Sequence, residues 1–157
     1  MAPGIFTGAL AMVGAPAMAR VEGAAQRRLA VRLLSSALIC GLGGMAAVRI
    51  GANILATWVY NEPELAGMFI LSAPLTLLFA VQHAVNALLS GLGEQRQALM
   101  PALAGSLLTL ALLHRWTALP GARIAGAIRA MQLGQSATLL STLGLLALAL
   151  RQSKTPD

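Results

Sequence analysis

An all-α bundle that spans a membrane is the fold class this sequence predicts, and three observations predict it. The 157 residues are 57% hydrophobic and only 10% charged, with a mean hydropathy of +0.75, whereas soluble domains average about 25% charged residues. Long runs lack Asp, Glu, Lys and Arg altogether: Leu65–Gly93, Ala130–Leu150, Met1–Ala19, Gln97–Leu113 and Leu33–Val48. A membrane-spanning helix needs about 20 mostly apolar residues. Finally, the eleven basic residues fall mostly between these runs rather than inside them. The alternative, a soluble helical bundle rich in Ala and Leu, would have too few charges for a water-facing surface.

The elements follow in order. A first helix is predicted over 3–19, with Pro3 tolerated in the first turn. It ends in Ala17-Met18-Ala19, which mimics a signal-peptidase site but lacks the basic n-region of a signal peptide, so it reads as a helix. A basic linker follows, with Arg20, Arg27, Arg28 and Arg32. The second helix is predicted over 32–48, with a kinked continuation to 60. The third covers 63–90, the fourth 97–116 and the fifth 124–150. Turn chemistry marks the joints: "NEPE" at 61–64, "GLGEQ" at 91–95 and "LPG" at 119–121. Residues 1–151 thus form one transmembrane domain of about five helices, and 152–157 a short polar tail. Gly4 and Gly8, and the series Gly41, Gly43, Gly44, Ala47 and Gly51, are small enough to let helices approach closely in lipid.

Charge sets the expected orientation. Arg20, Arg27, Arg28, Arg32, Arg96, Arg151 and Lys154 fall on one side of the bundle. Arg49, Arg115, Arg123 and a snorkelling Arg129 fall on the other, with Glu62 and Glu64. The richer side is expected in the cytoplasm, which puts the N-terminus outside. A chain starting outside without a leader reads as the C-terminal portion of a longer one. The net charge of +6 does not point to nucleic acid, because no basic and aromatic platform exists to stack bases. One cysteine, two histidines 31 residues apart and five scattered acids offer no disulfide, metal site or catalytic pair. The chain is expected to be no enzyme and to need no cofactor.

Polar residues inside the apolar runs are the candidate site. Gln82, Asn86 and Ser90 recur at i, i+4, i+8 in the third helix, with His83 beside them. The fifth carries a second set, Arg129, Gln132, Gln135, Ser136 and Ser141, of which Arg129, Gln132 and Ser136 recur at i, i+3, i+7. Such groups are costly in hydrocarbon and should face protein or a wet cavity. Two readings stay open. Either they bond helix to helix, or they line a hydrophilic pathway in which amides donate and accept and an arginine holds an anion. The lipid-facing side of the third helix is expected to be Leu75, Leu78 and Phe79, with Leu88 and Leu89 near its end.

The order of motifs resembles the polysaccharide-biosynthesis flippases related to stage V sporulation protein B. They belong to the multidrug/oligosaccharidyl-lipid/polysaccharide exporter superfamily, which includes the lipid II flippases. "APGIFTGALAMVGAPAMAR" resembles that family's Pro-start helix, and "EGAAQRRLAVR" its basic amphipathic linker. "WVYNEPE" is similar to its short outer segment, "GARIAGAIRA" to its Gly-x-x-Ile-x-Gly-Ala helix start. The strongest likeness is "LSAPLTLLFAVQHAVNALLSGLGEQRQALMPAL", with Ala73-Pro74, Gln82, Gly91-Leu92-Gly93 and Pro101. A lysine that the family pattern places in the fourth helix is replaced here by Leu108 and Thr109.

The resemblance implies five helices of the second of two six-helix lobes, about a third of such a protein. It implies a flippase or exporter for lipid-linked oligosaccharide, polysaccharide or peptidoglycan precursors in the cytoplasmic membrane. The mechanism would be alternating access, with Gln82, His83 and Asn86 lining the pathway. Membrane lipids, a lipid-linked sugar, and an N-terminal partner chain or second copy are the expected partners. Two other readings remain: a split or truncated product with a structural role that depends on a partner, and a multidrug exporter. The latter would favour acidic residues deep inside the spans, and none lies in the charge-free runs.

Overall fold

In the computed structural model, residues 12–118 and 123–152 are described. Residues 12–19 are helical (α1), and then Gly23 takes φ +61° after an extended Glu22. That left-handed step, easy only for glycine, turns the chain into α2, Gly23–Ile54. The helix therefore starts nine residues before the predicted 32, and the expected linker is its first turns. The reason is local: after Gly23, "AAQRRLAVRLL" consists almost wholly of strong helix formers. The part of the first helix predicted over 3–11, the Gly4/Gly8 pair, the "LPG" turn and the tail beyond Gln152 lie outside the described residues.

At its far end α2 widens into a π-helical turn, Leu55–Val59. Asn61 then adopts φ 54°, and the Glu62 amide closes back onto the Ala56 carbonyl at 2.8 Å. The predicted continuation to Tyr60 is thus present, as a change of helix type. Helix α3 spans Leu65–Gly91, α4 Gln95–Thr117 and α5 Arg123–Gln152. Gly93, at φ +79°, ends α3, with the Glu94 amide on the Leu89 carbonyl at 2.9 Å, a glycine-dependent helix stop. Among the described residues no strand occurs, and four helices, counting α2 with its π turn as one, are long and apolar enough to cross a membrane. The protein is an all-α, multi-pass membrane bundle.

Helices α2 and α3 pack as one pair, α4 and α5 as another, and α3 joins α5, while α3 and α4 barely touch. Small residues carry the first pairing. Ala30, Ala37, Gly41 and Ala52 form the buried stripe of α2, and Ala73, Ala80, Ala84 and Ala87 are buried on α3. A Cβ on Gly41 would stand 2.8 Å from Leu77 Cδ1 and 3.1 Å from Ala80 Cβ. Gly43 and Gly51 face open space, so of these three glycines only Gly41 needs to be small for packing. In lipid, small residues bring backbones into dispersion contact, and burying leucine gains little because acyl chains are equally apolar.

One end of the bundle is closed by larger side chains. Met18 of α1, Ala30 of α2, Val85, Leu88 and Leu89 of α3, and Leu146 of α5 form a buried cluster. Leu88 and Leu89 are fully buried and Leu75 nearly so, which corrects the expectation that they face lipid. For Leu88 and Leu89 the cause is coverage: α1, the early turns of α2 and the end of α5 all meet the last turns of α3. The Arg27 guanidinium donates to the Leu150 carbonyl at 3.0 Å, satisfying one of the carbonyls that the α5 terminus leaves open. Large apolar residues elsewhere, such as Leu99, Leu103, Leu107 and Leu110 on α4, are exposed, as lipid contact requires.

Candidate functional site

The polar stripe of α3 meets α5 at its centre. Gln82 is buried, and its Nε2 donates to Asn86 Oδ1 at 3.0 Å and to Thr142 Oγ1 at 3.3 Å. Thr142 is fully buried, and its hydroxyl lies 2.9 Å from the Thr138 carbonyl and 3.0 Å from that of Leu139. The hydroxyl proton can serve its own helix while its oxygen accepts from Gln82. An amide that lipid would leave unsatisfied is thereby paired. For Gln82 the interhelical reading holds.

Helix α4 reaches this region only through α5. A Cβ added to Gly105 would stand 1.7 Å from Thr138 Oγ1, and one added to Gly134 would stand 1.8 Å from Thr109 Oγ1. Each helix thus offers a Gly-x-x-x-Thr pair, and each glycine receives the partner's threonine. Both threonines turn their protons to the carbonyl of the glycine four residues earlier, Thr109 to Gly105 at 2.8 Å and Thr138 to Gly134 at 2.9 Å. Gly126 makes a like contact against Trp116 near the start of α5.

Because α4 leans on α5 and scarcely on α3, a groove of about 270 Å³ remains among the three helices. Gln82, His83 and Asn86 line its α3 wall, Ser106 and Thr109 its α4 wall, Gln135 and Thr138 its α5 wall. His83 and Asn86 are exposed. Among the described residues, no carboxylate, lysine or arginine lines the groove. Ser106 donates to the Ala102 carbonyl at 2.8 Å, so the groove's hydroxyl oxygens present lone pairs while the amides and the imidazole add donors. Such a surface fits water or a neutral, hydroxyl-rich ligand.

Of the second predicted set, Gln135 lines this groove, whereas Arg129, Gln132 and Ser136 lie elsewhere. Gln132 Nε2 donates to the Leu71 carbonyl, in the turn of α3 where Pro74 removes a helix bond and crowds the preceding carbonyls. Ser136 donates to the Gln132 carbonyl at 2.7 Å. Arg129 is exposed. All three line a separate groove of about 480 Å³ that shares no residue with the first. The geometry of α5 explains the separation. Arg129, Gln132 and Ser136 run i, i+3, i+7, and Gln135, Thr138 and Thr142 repeat that spacing six residues later. Six residues at about 100° each turn the second stripe about 120° from the first.

Gly105, Thr109, Gly134, Thr138 and Thr142 were not among the residues predicted for the site. The signal for them is the Gly-x-x-x-Thr spacing, which occurs once in each of α4 and α5 and becomes legible only when the two are paired. No family model, no curated protein and no solved structure matches this chain.

Proposed function

We propose that this chain is part of a membrane flippase or exporter for lipid-linked oligosaccharide or related envelope precursors, and that the groove of His83, Asn86 and Gln135 is one wall of its hydrophilic pathway. The observation that carries this reading is an uncharged but polar groove at mid-bundle, with His83 and Asn86 exposed. Intramembrane polar groups are retained where they meet water, cargo or protein, and Gln82 alone of the α3 set is consumed by packing. The motif order described above supports the family, and hydroxyl-rich cargo suits the lining. The opposing wall comes from an N-terminal partner chain or a second copy, and lobes rocking about this groove give alternating access. The Arg27 end of the bundle faces the cytoplasm, as its basic residues favour.

Thiol labelling tests the reading. Cys40 is the single cysteine and is exposed, so Cys40→Ser supplies the background. Single cysteines at His83, Asn86 and Gln135 are expected to react with a membrane-impermeant thiol reagent in proteoliposomes. A cysteine at Leu140, 71% exposed on the same helix as Gln135, faces lipid and should not react, because only a hydrated thiolate is nucleophilic. Adding a polyprenyl-diphosphate-linked oligosaccharide should slow the first three. Groove cysteines as inert as the one at position 140 would leave the polar stripe as packing alone.

A further inference from the structure

We infer that the groove headed by Arg129 binds the headgroup and first chain segment of an anionic phospholipid. Its walls are the apolar side chains of Pro74, Leu77, Leu78 and Leu133, and its polar groups are Arg129, Gln132 and Ser136. The polar groups are not equivalent. Gln132 spends one of its two N–H donors on the Leu71 carbonyl and Ser136 its only one on the Gln132 carbonyl, whereas Arg129 is exposed and forms no ion pair or hydrogen bond among the described residues. An arginine without a counter-ion beside an apolar trough at membrane depth calls for an anion that brings its own apolar chain.

Depth agrees with charge. Helix α5 has 30 residues, about 45 Å at 1.5 Å each, against a hydrocarbon core of about 30 Å. Arg129 lies six residues inside Arg123, about 9 Å along the axis, near the boundary between headgroups and acyl chains. Trp116, from the last turns of α4, lines the same groove, and its ring type favours that boundary. From Arg129 the trough runs inward along Leu133 and Ser136, so the phosphate lies at the boundary and the chain beneath it. The site belongs to a different face of α5 from the polar groove and does not depend on transport.

Native mass spectrometry of the full chain, purified and delipidated in detergent, gives the test. Phosphatidylglycerol is titrated against phosphatidylcholine with the same chains, and inorganic phosphate serves as the chain-free arm. Phosphatidylglycerol should bind about fivefold more tightly than phosphatidylcholine, the order expected for one arginine against one anionic lipid. Arg129→Gln should erase that preference and Arg129→Lys should retain most of it. Leu133→Trp, which fills the trough, should weaken both lipids. Equal affinities for the two lipids, or a preference that survives Arg129→Gln, would overturn the site. So would inorganic phosphate displacing phosphatidylglycerol at equal concentration, because the apolar trough would then contribute nothing.

Discussion

Helix α5 is held on two sides by opposite means. Toward α4 it presents Gly134 and Thr138 to Gly105 and Thr109, so the backbones meet with almost no side chain between them. Toward α3 it presents Thr142 and Gln132, and the contact is made by amide and hydroxyl bonds to Gln82 and the Leu71 carbonyl. The first contact is antiparallel: Gly105 meets Thr138 and Gly134 meets Thr109. The second is parallel, because its two bonds join residues 60 and 61 apart. The contrast separates two ways to associate in lipid. Dispersion between close backbones tolerates no added atom, whereas polar rungs tolerate looser spacing and leave grooves beside them. Both grooves are lined by residues of α3, α4 and α5.

Enlarging a crossing glycine should break this contrast most strongly. Gly134→Leu must displace Thr109 and the Gly105 carbonyl, which a Cβ would already approach to 2.9 Å. A loss of about 3 kcal/mol, the upper range for overpacking, is expected in a reversible unfolding titration in bicelles. A change below about 0.5 kcal/mol would mean that α4 can shift freely on α5. Next in size is Arg27→Met, which keeps the apolar stem but removes the bond to the Leu150 carbonyl. The expected cost is about 1 kcal/mol, reduced from the charged-bond range by partial exposure. Faster amide exchange should be confined to the last turns of α5, and uniform exchange would show that the bond fastens nothing.

The polar rungs should matter less than either. A double-mutant cycle of Gln82→Leu and Thr142→Val is expected to give a coupling of about 0.6 kcal/mol, the average for bonds between membrane helices. A coupling as large as the glycine effect would erase the distinction between the two sides. Smallest is Asn86→Leu. The residue is exposed and shares one bond with Gln82 on its own helix, so stability should change by about 0.2–0.5 kcal/mol. Its effect should fall on protection of the groove cysteines by the lipid-linked sugar.

Much of the helical plan was legible because charge marks where a chain leaves a membrane. The absence of Asp, Glu, Lys and Arg from Leu65 to Gly93 leaves little choice about α3. The start of α2 was less legible, since basic residues mark both a linker and an amphipathic helical turn, and Gly23 alone separates them. The inward face of α3 misled for a reason specific to lipid. Leucine occurs on every side of this helix, and large apolar side chains do not mark the interior of a membrane protein. Small and polar residues do, as buried Ala73, Ala80, Ala84 and Gln82 illustrate. His83 and Asn86 were identifiable as polar residues in an apolar run. Their partners were not, because a threonine on α5 has no sequence signal until α3 lies beside it.

The hydrogen bond between Gln82 and Asn86 also bears on how the chain is made. Thr142 follows Gln82 by 60 residues, and synthesis at about 5–20 residues per second makes it arrive roughly 3 to 12 s later. For that interval α3 must sit in lipid, or at its edge, without the hydroxyl that finally receives its amide. Asn86 is available from the moment the helix forms, four residues on and on the same face. The pair shields part of its own polarity while the ribosome is still delivering α5, and the nascent helix can partition into the bilayer before its neighbour exists.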